Sequence, residues 1–114
     1  MAKTYKTLGQ SAPGASVATT IYTVPTSPAT QSVISTLSVV NRDTSGVVGS
    51  FSVQIVPQGE TAANKHYIEY LRPIMYRRSI SKTIGITLKA GDTVVVTATT
   101  ANLSFSLFGC EITA

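Results

Sequence analysis

Apolar and small polar residues take turns along most of this chain, most plainly in Leu103-Ser104-Phe105-Ser106-Leu107-Phe108-Gly109-Cys110-Glu111-Ile112. A period of two sends successive side chains to opposite faces of an extended strand, so that one face is buried and the other is wetted or covered by a partner. The same reading predicts strands over 19–24, 31–41, 49–56, 66–71, 82–88 and 93–99 before the final one over 103–112. Pro25 and Pro57 end two of them, because proline has no N–H to give to a ladder. Within 31–41, Val33, Leu37 and Val39 share one face and Ile34 and Val40 the other, the mark of a central strand. Phe51, Val53 and Ile55 share a face of the next strand, and Ile84, Ile86 and Leu88 point inward from 82–88. Turn formers fill 26–30, 41–46 and 89–92. Residues 57–65 make a crossing loop with a short helical turn over 61–64, and 100–102 join the last two strands as a hairpin. Gly85 and Gly109, inside strands, mark bulges or close backbone approach.

Two segments do not follow the alternation. Residues 74–80 mix apolar and basic side chains without a period, which suits a sheet edge or a partner surface. Residues 1–18 carry Gly9, Pro13 and Gly14 among Ser and Ala, which suits an extended arm. The predicted fold is therefore all-β: a single antiparallel β-sandwich or jelly-roll-like domain over 19–114, preceded by an extended N-terminal arm over 1–18. A chain of 114 residues holds one core of this kind.

Composition changes the picture at the surface. Charged residues are only 12% of the chain while hydrophobic ones are 43%, about half the usual charged share of soluble proteins. The exterior is thus thinly charged, rich in Ser, Thr and Ala, and poorly defended against association, as expected of a subunit whose surface is partly covered in its working state. The net charge of +4 reflects few acids more than many bases. Nine Lys and Arg without an aromatic-plus-basic stripe do not make a nucleic-acid binder. No apolar run approaches the ~18–20 residues of a membrane-spanning helix, and the first residues lack a signal-peptide core, so synthesis in a cytoplasm with no membrane partner is expected.

Candidate chemistry is sparse. Cys110 is the single cysteine, which excludes an internal disulfide or a multi-cysteine zinc site and suits a small buried filler. His66 is the single histidine, and no spacing links it to a Ser or to Cys110 as a base to a nucleophile. Its simpler role is to cap a loop or pack at a strand start. Asp43 and Asp92 read as turn residues and Glu60 as a solvated loop charge; with Glu69 and Glu111 they form no neighbouring pair in sequence. No catalytic residue, cofactor, metal or small-molecule substrate is expected. Partner contact is expected at Tyr76, Arg77 and Arg78, since Tyr and Arg are enriched at interfaces, with an edge guarded by charge as the alternative. A second candidate is Lys3, Tyr5, Lys6 and Leu8 on the arm, with a disordered tail as the alternative.

Leu8-Gly9-Gln10, Ile21-Tyr22-Thr23-Val24-Pro25, Ala63-Asn64-Lys65-His66-Tyr67, Ile84-Gly85-Ile86-Thr87-Leu88 and Asn102-Leu103-Ser104-Phe105-Ser106-Leu107-Phe108-Gly109 together resemble a family of small virion structural proteins of tailed bacteriophages. The resemblance spans nearly the whole chain, in order. It implies a compact β-sandwich without enzyme activity, similar to the decoration or cement proteins on the outside of a phage head. It further implies a homotrimer at capsid three-fold positions that binds the major capsid protein of the same phage, with an N-terminal arm over neighbouring subunits. The location implied is the outer surface of the virion, after synthesis in the host bacterium. A tail, baseplate or fibre component is the structural alternative. A carbohydrate-binding module for the host surface is the other, with Tyr67, Tyr70 and Tyr76 as its aromatics. The chain departs from the family at 73–78, which points to contacts peculiar to this particle.

Overall fold

A computed structural model describes residues 2–113. Eight strands form in order: β1 (Ala2–Ser11), β2 (Thr19–Thr23), β3 (Thr30–Asn41), β4 (Gly49–Val56), β5 (Tyr67–Ile74), β6 (Ser79–Leu88), β7 (Thr93–Ala98) and β8 (Leu103–Thr113), with one 3-10 turn at Asn64–His66 before β5. They build two four-stranded antiparallel sheets, β1-β8-β3-β6 and β2-β7-β4-β5. The pairs β1 with β8, β2 with β7, β3 with β6 and β4 with β5 match the first strand to the last, the second to the next to last, and so inward. The chain is thus one long hairpin wound into two layers, and the pairs β3–β8 and β4–β7 knit the windings together.

Only the β4–β5 connection stays within one sheet; the others cross from layer to layer over an end of the sandwich. Residues 100–102, expected to close a hairpin, are one of these crossings, because β7 and β8 lie in opposite sheets. Alternation fixes which side of a strand is apolar, and an inward-facing row is equally apolar in either layer.

Fifteen buried hydrophobic residues fill the space between the layers, among them Ile34, Leu37, Val39, Val53, Val94, Val96, Leu103 and Leu107. Phe51 from one sheet and Phe105 from the other meet edge to face at 5.9 Å and 76°, the arrangement favoured by the ring quadrupole. Ile34, Leu37 and Val39 share the inner face of β3, whereas sequence periodicity grouped Val33 with Leu37 and Val39. The register of β3 shifts between Ile34 and Thr36 against both neighbours. Against β8 Ser35 is the extra residue, whereas against β6 the extra residue lies on β6, between Thr83 and Ile86; the bulge at Ser35 exchanges the faces of everything before it on β3. Gly85 stands beside this irregularity with φ +58°, and Gly109 lies so close to β3 that a Cβ would collide with the Val33 carbonyl oxygen.

The first eighteen residues, expected as an arm, are extended but not detached. Ala2–Ser11 is an edge strand that pairs with β8 along its length; Met1 and Ala114 lie outside the described residues. Its outward edge has little to bury, so its side chains give no strong alternation. A register shift between Thr7 and Gly9 bulges Leu8, which packs against the core. The opposite margin, between β5 and β6, is closed by Glu69, which pairs with Lys82 and, at 3.1 Å, with Arg72.

Gly9 marks where β1 presses on the other sheet, since a Cβ there would overlap the backbone carbonyl of Ile21. Gly9→Ala is therefore expected to cost about 1–3 kcal/mol, as forced overpacking usually does. Gly14→Ala, whose Cβ would meet only Val17 at an ordinary 3.6 Å, is expected to stay within about 0.5 kcal/mol. Urea denaturation checks the pair, and equal midpoints would refute the close approach.

Candidate assembly surfaces

Crossing from layer to layer leaves the arches at each end of the sandwich with backbone groups that no ladder satisfies. One end is held by Asn41, the last residue of β3 and 1% exposed. Its backbone N–H donates to the Arg78 carbonyl at 2.9 Å and its carbonyl accepts from the Arg77 N–H at 3.0 Å. Its Nδ2 donates to the carbonyls of Ile74 at 3.0 Å and Val47 at 3.3 Å, and its Oδ1 accepts from the Asp43 N–H at 3.0 Å. The Asp43 carboxylate then accepts from the N–H groups of Val47 and Ser45 at 2.8 and 2.9 Å and from Asn102 Nδ2 at 3.1 Å. The backbone N–H bonds, led by that from Val47, outweigh burial and hold the Asp43 carboxyl below its ordinary value. Arg42 donates its N–H to Asn102 and its guanidinium to Ala101. Three arches, 42–48, 75–78 and 99–102, are thereby fixed as one surface.

That surface is apolar and cationic. Val47, Val48, Met75 and Tyr76 stand exposed on it, together with Arg42, Arg77 and Arg78. Five of the nine Lys and Arg, namely Lys6, Lys65, Arg72, Lys82 and Lys89, are in ion pairs. Lys3 and these three arginines make none among the described residues, so most of the net positive charge gathers at the Asn41 end. Tyr76-Arg77-Arg78 is a turn between β5 and β6, with Arg77 at φ +58°, and not a strand edge.

Asp92 has the matching role at the other end. It accepts from the N–H of Gln58 at 2.9 Å and of Lys89 at 3.0 Å, and its carbonyl accepts from the Val24 N–H. Burial raises its carboxyl, but those two N–H groups and the Lys89 charge outweigh burial and leave it lowered. Nearby, the buried Tyr22 phenol of β2 donates to Glu111 Oε2 of β8 at 2.6 Å and shares a hydrogen bond with Ser32 of β3 at 2.5 Å. Burial and Glu111 push the phenol far above its ordinary value. The same bond, reinforced by Lys6, holds Glu111 low.

The second surface is the outer face of the β1-β8-β3-β6 sheet. Register sets its rows: Gln10, Ser106, Ser38 and Ser81; then Thr7, Phe108, Thr36 and Thr83; then Tyr5, Cys110, Val33 and Thr87. None of the three rows carries a charge, and Lys3, on the next row beside Ile112, is at the corner. Tyr5 is 81% exposed. Of the residues expected to act together on the arm, only Lys3 and Tyr5 reach this face. Lys6 turns inward to Glu111 at 3.0 Å, and Leu8, partly buried, packs against the core. Sequence missed the face itself, whose signal was the uncharged alternate positions Ser79, Ser81, Thr83 and Thr87 of β6 and Ser104 and Ser106 of β8.

The groups considered for chemistry are engaged elsewhere. His66 Nδ1 accepts from the Ala63 N–H at 3.0 Å, so Nε2 carries the proton and donates to Glu60 at 3.1 Å. The ring caps the 57–66 loop, while Cys110 is buried on the far sheet. Tyr67 and Tyr70 lie together with Asn64, and Tyr76 is on the Asn41 end, apart from them.

No protein-family model matches the sequence, and no curated protein does.

Asn41→Ala is expected to orphan two carbonyls and an N–H, at about 1–3 kcal/mol each when buried, and so to remove much of the stability, as read by urea denaturation. Asp43, Asp92 and Glu111 titrate lower in the folded chain than their ordinary 3.8 and 4.5. Their stabilisation is complete above those values and is lost as pH falls through the folded ones. The urea midpoint should be level from pH 7 to about 5 and drop below about 4, and Asp43→Asn should flatten the drop. A midpoint unchanged at pH 3 would contradict the two polar hubs.

Proposed function

We propose that this chain is a non-enzymatic structural subunit of a bacteriophage virion, a decoration (cement) protein that binds the outside of the head as a homotrimer and bridges major capsid subunits. The observation that carries the reading is the uncharged outer face of the β1-β8-β3-β6 sheet, three rows wide, with Lys3 alone at its corner. Free monomers guard such faces with charge, because neutral surfaces associate. The strand pairing of the sandwich, first with last and inward, supports reading it as a jelly roll, an architecture that serves in viral capsids and lectins. The sequence resemblance to phage virion proteins points the same way.

Two contact regions at opposite edges of that sheet suit a bridge. Tyr5 stands on β1, and Tyr76, Arg77 and Arg78 stand beside the start of β6. A subunit held at both, in a trimer, gains effective concentration at each contact once one is made, so weak contacts add to a clamp. The arginine end favours an acidic patch on the capsid subunit. Since β1 is part of the sandwich, the contact it makes is that of an edge strand and not of a free arm.

Light scattering should give a trimer at micromolar concentration, and a map of the intact particle should place the chain outside the head; density at the tail, baseplate or fibre would select that station instead. Ser106→Glu, which puts a charge on the neutral face, should weaken attachment to heads at least about tenfold, or ~1.4 kcal/mol, with an unchanged melting temperature. Arg77→Ala with Arg78→Ala should remove the salt dependence of attachment. A monomer absent from mature particles would end the proposal.

A further inference from the structure

The outer face of the β2-β7-β4-β5 sheet carries a feature that assembly through the other sheet leaves free. Residues three apart on a regular strand point to opposite faces. In β5 the pairing passes from Gln54 with Tyr67 to Val53 with Glu69, so Ile68 is an extra residue and the bulge returns Tyr67 and Tyr70 to the same side. Their rings meet edge to face at 4.8 Å and 72°, one ring forming a floor and the other a wall. Tyr70 is 64% exposed.

Asn64 completes the corner from the 3-10 turn, and the three residues line a cleft of about 400 Å³, within the ~300–1,000 Å³ range of small-ligand sites. The turn is held in place from below. Gln54 Nε2 donates to the Ala63 carbonyl at 3.1 Å, and the Ala63 N–H donates to His66 Nδ1. No hydrogen bond among the described residues engages the side chain of Asn64, Tyr67 or Tyr70, so an amide and two phenols are left to face a ligand.

We infer that this cleft binds a neutral saccharide. No charged side chain lines it, and Lys65, next to Asn64 in the chain, is paired with Glu60 at 3.0 Å, as Glu69 between the two tyrosines is with Arg72 at 3.1 Å. A sugar ring has an apolar C–H face to lay on the exposed tyrosine and a rim of hydroxyls, each donor and acceptor, for the amide and phenols. A proline-rich peptide instead needs a run of aromatic ridges along its helix, and a single perpendicular pair supplies one corner. The site goes beyond the assembly reading and stands independently of it: it lies on the other sheet and would serve a particle-bound subunit by touching the glycan coat of a cell.

The labelled full chain, applied to an array of neutral and acidic glycans and titrated with decaproline by fluorescence polarisation, tests this. Neutral glycans should be retained, and the tightest should lose at least about tenfold in affinity in solution with Tyr70→Ala, as expected when an aromatic floor is removed. Val17→Ala, an exposed residue of the β1–β2 connection outside every contact surface described above, should leave the affinity unchanged, and because Tyr70 is exposed both variants should keep the parent melting temperature. An array with no neutral glycan above the Tyr70→Ala background would overturn the inference, as would preference for acidic glycans or binding of decaproline alone.

Discussion

Winding a hairpin into two layers forces its connections to arch over the ends of the sandwich, where no neighbouring strand can satisfy the backbone. The rest of the structure depends on how that cost is met. Asn41 and Asp43 gather three arches at one end, and Asp92 gathers the loops at the other. Each is a small side chain with several hydrogen-bonding positions, buried where a larger or apolar residue would leave carbonyls and N–H groups unpaired. With the ends tied, the apolar rows between them can close on each other without water entering.

The irregularities inside the strands then decide what the surface presents. Ser35 on β3 turns Ile34 into the core, and Ile68 on β5 sets Tyr67 and Tyr70 side by side. Leu8 on β1 dips inward beside Gly9, whose bare Cα lets the edge strand touch the opposite layer. Each bulge adds one residue to one strand and so exchanges faces beyond it. The chain uses this to hide a leucine and an isoleucine and to display a pair of aromatics.

Charge is distributed with the same economy. The five acids are all engaged: Asp43 and Asp92 with backbone N–H groups, Glu60, Glu69 and Glu111 with cations. What is left over is positive and gathered mainly on the Asn41 end, while the outer face of the β1-β8-β3-β6 sheet stays neutral. One neutral face, one cationic end and an aromatic cleft on the opposite sheet give three surfaces of different chemistry. Electrostatic attraction acts over a Debye length of about 8–10 Å and guides approach, whereas the neutral face contributes only on contact.

By itself the sequence determined the all-β class, most strand positions, the central place of β3, the turn roles of Asp43 and Asp92 and the burial of Cys110, and it narrowed His66 to capping a loop or packing at a strand start. These follow from local rules: a period of two, the missing N–H of proline, the short polar side chains that suit turns. Tertiary structure alone decided that β7 and β8 lie in different layers, that residues 2–11 are an edge strand, and that Lys6 and Leu8 turn inward while Lys3 and Tyr5 turn out. It alone joined Tyr67 to Tyr70 and parted both from Tyr76. The reason is physical: alternation records which face of a strand is apolar, but layer, register and bulges are settled by contacts between residues as far apart as Tyr5 and Cys110, which no window along the chain contains.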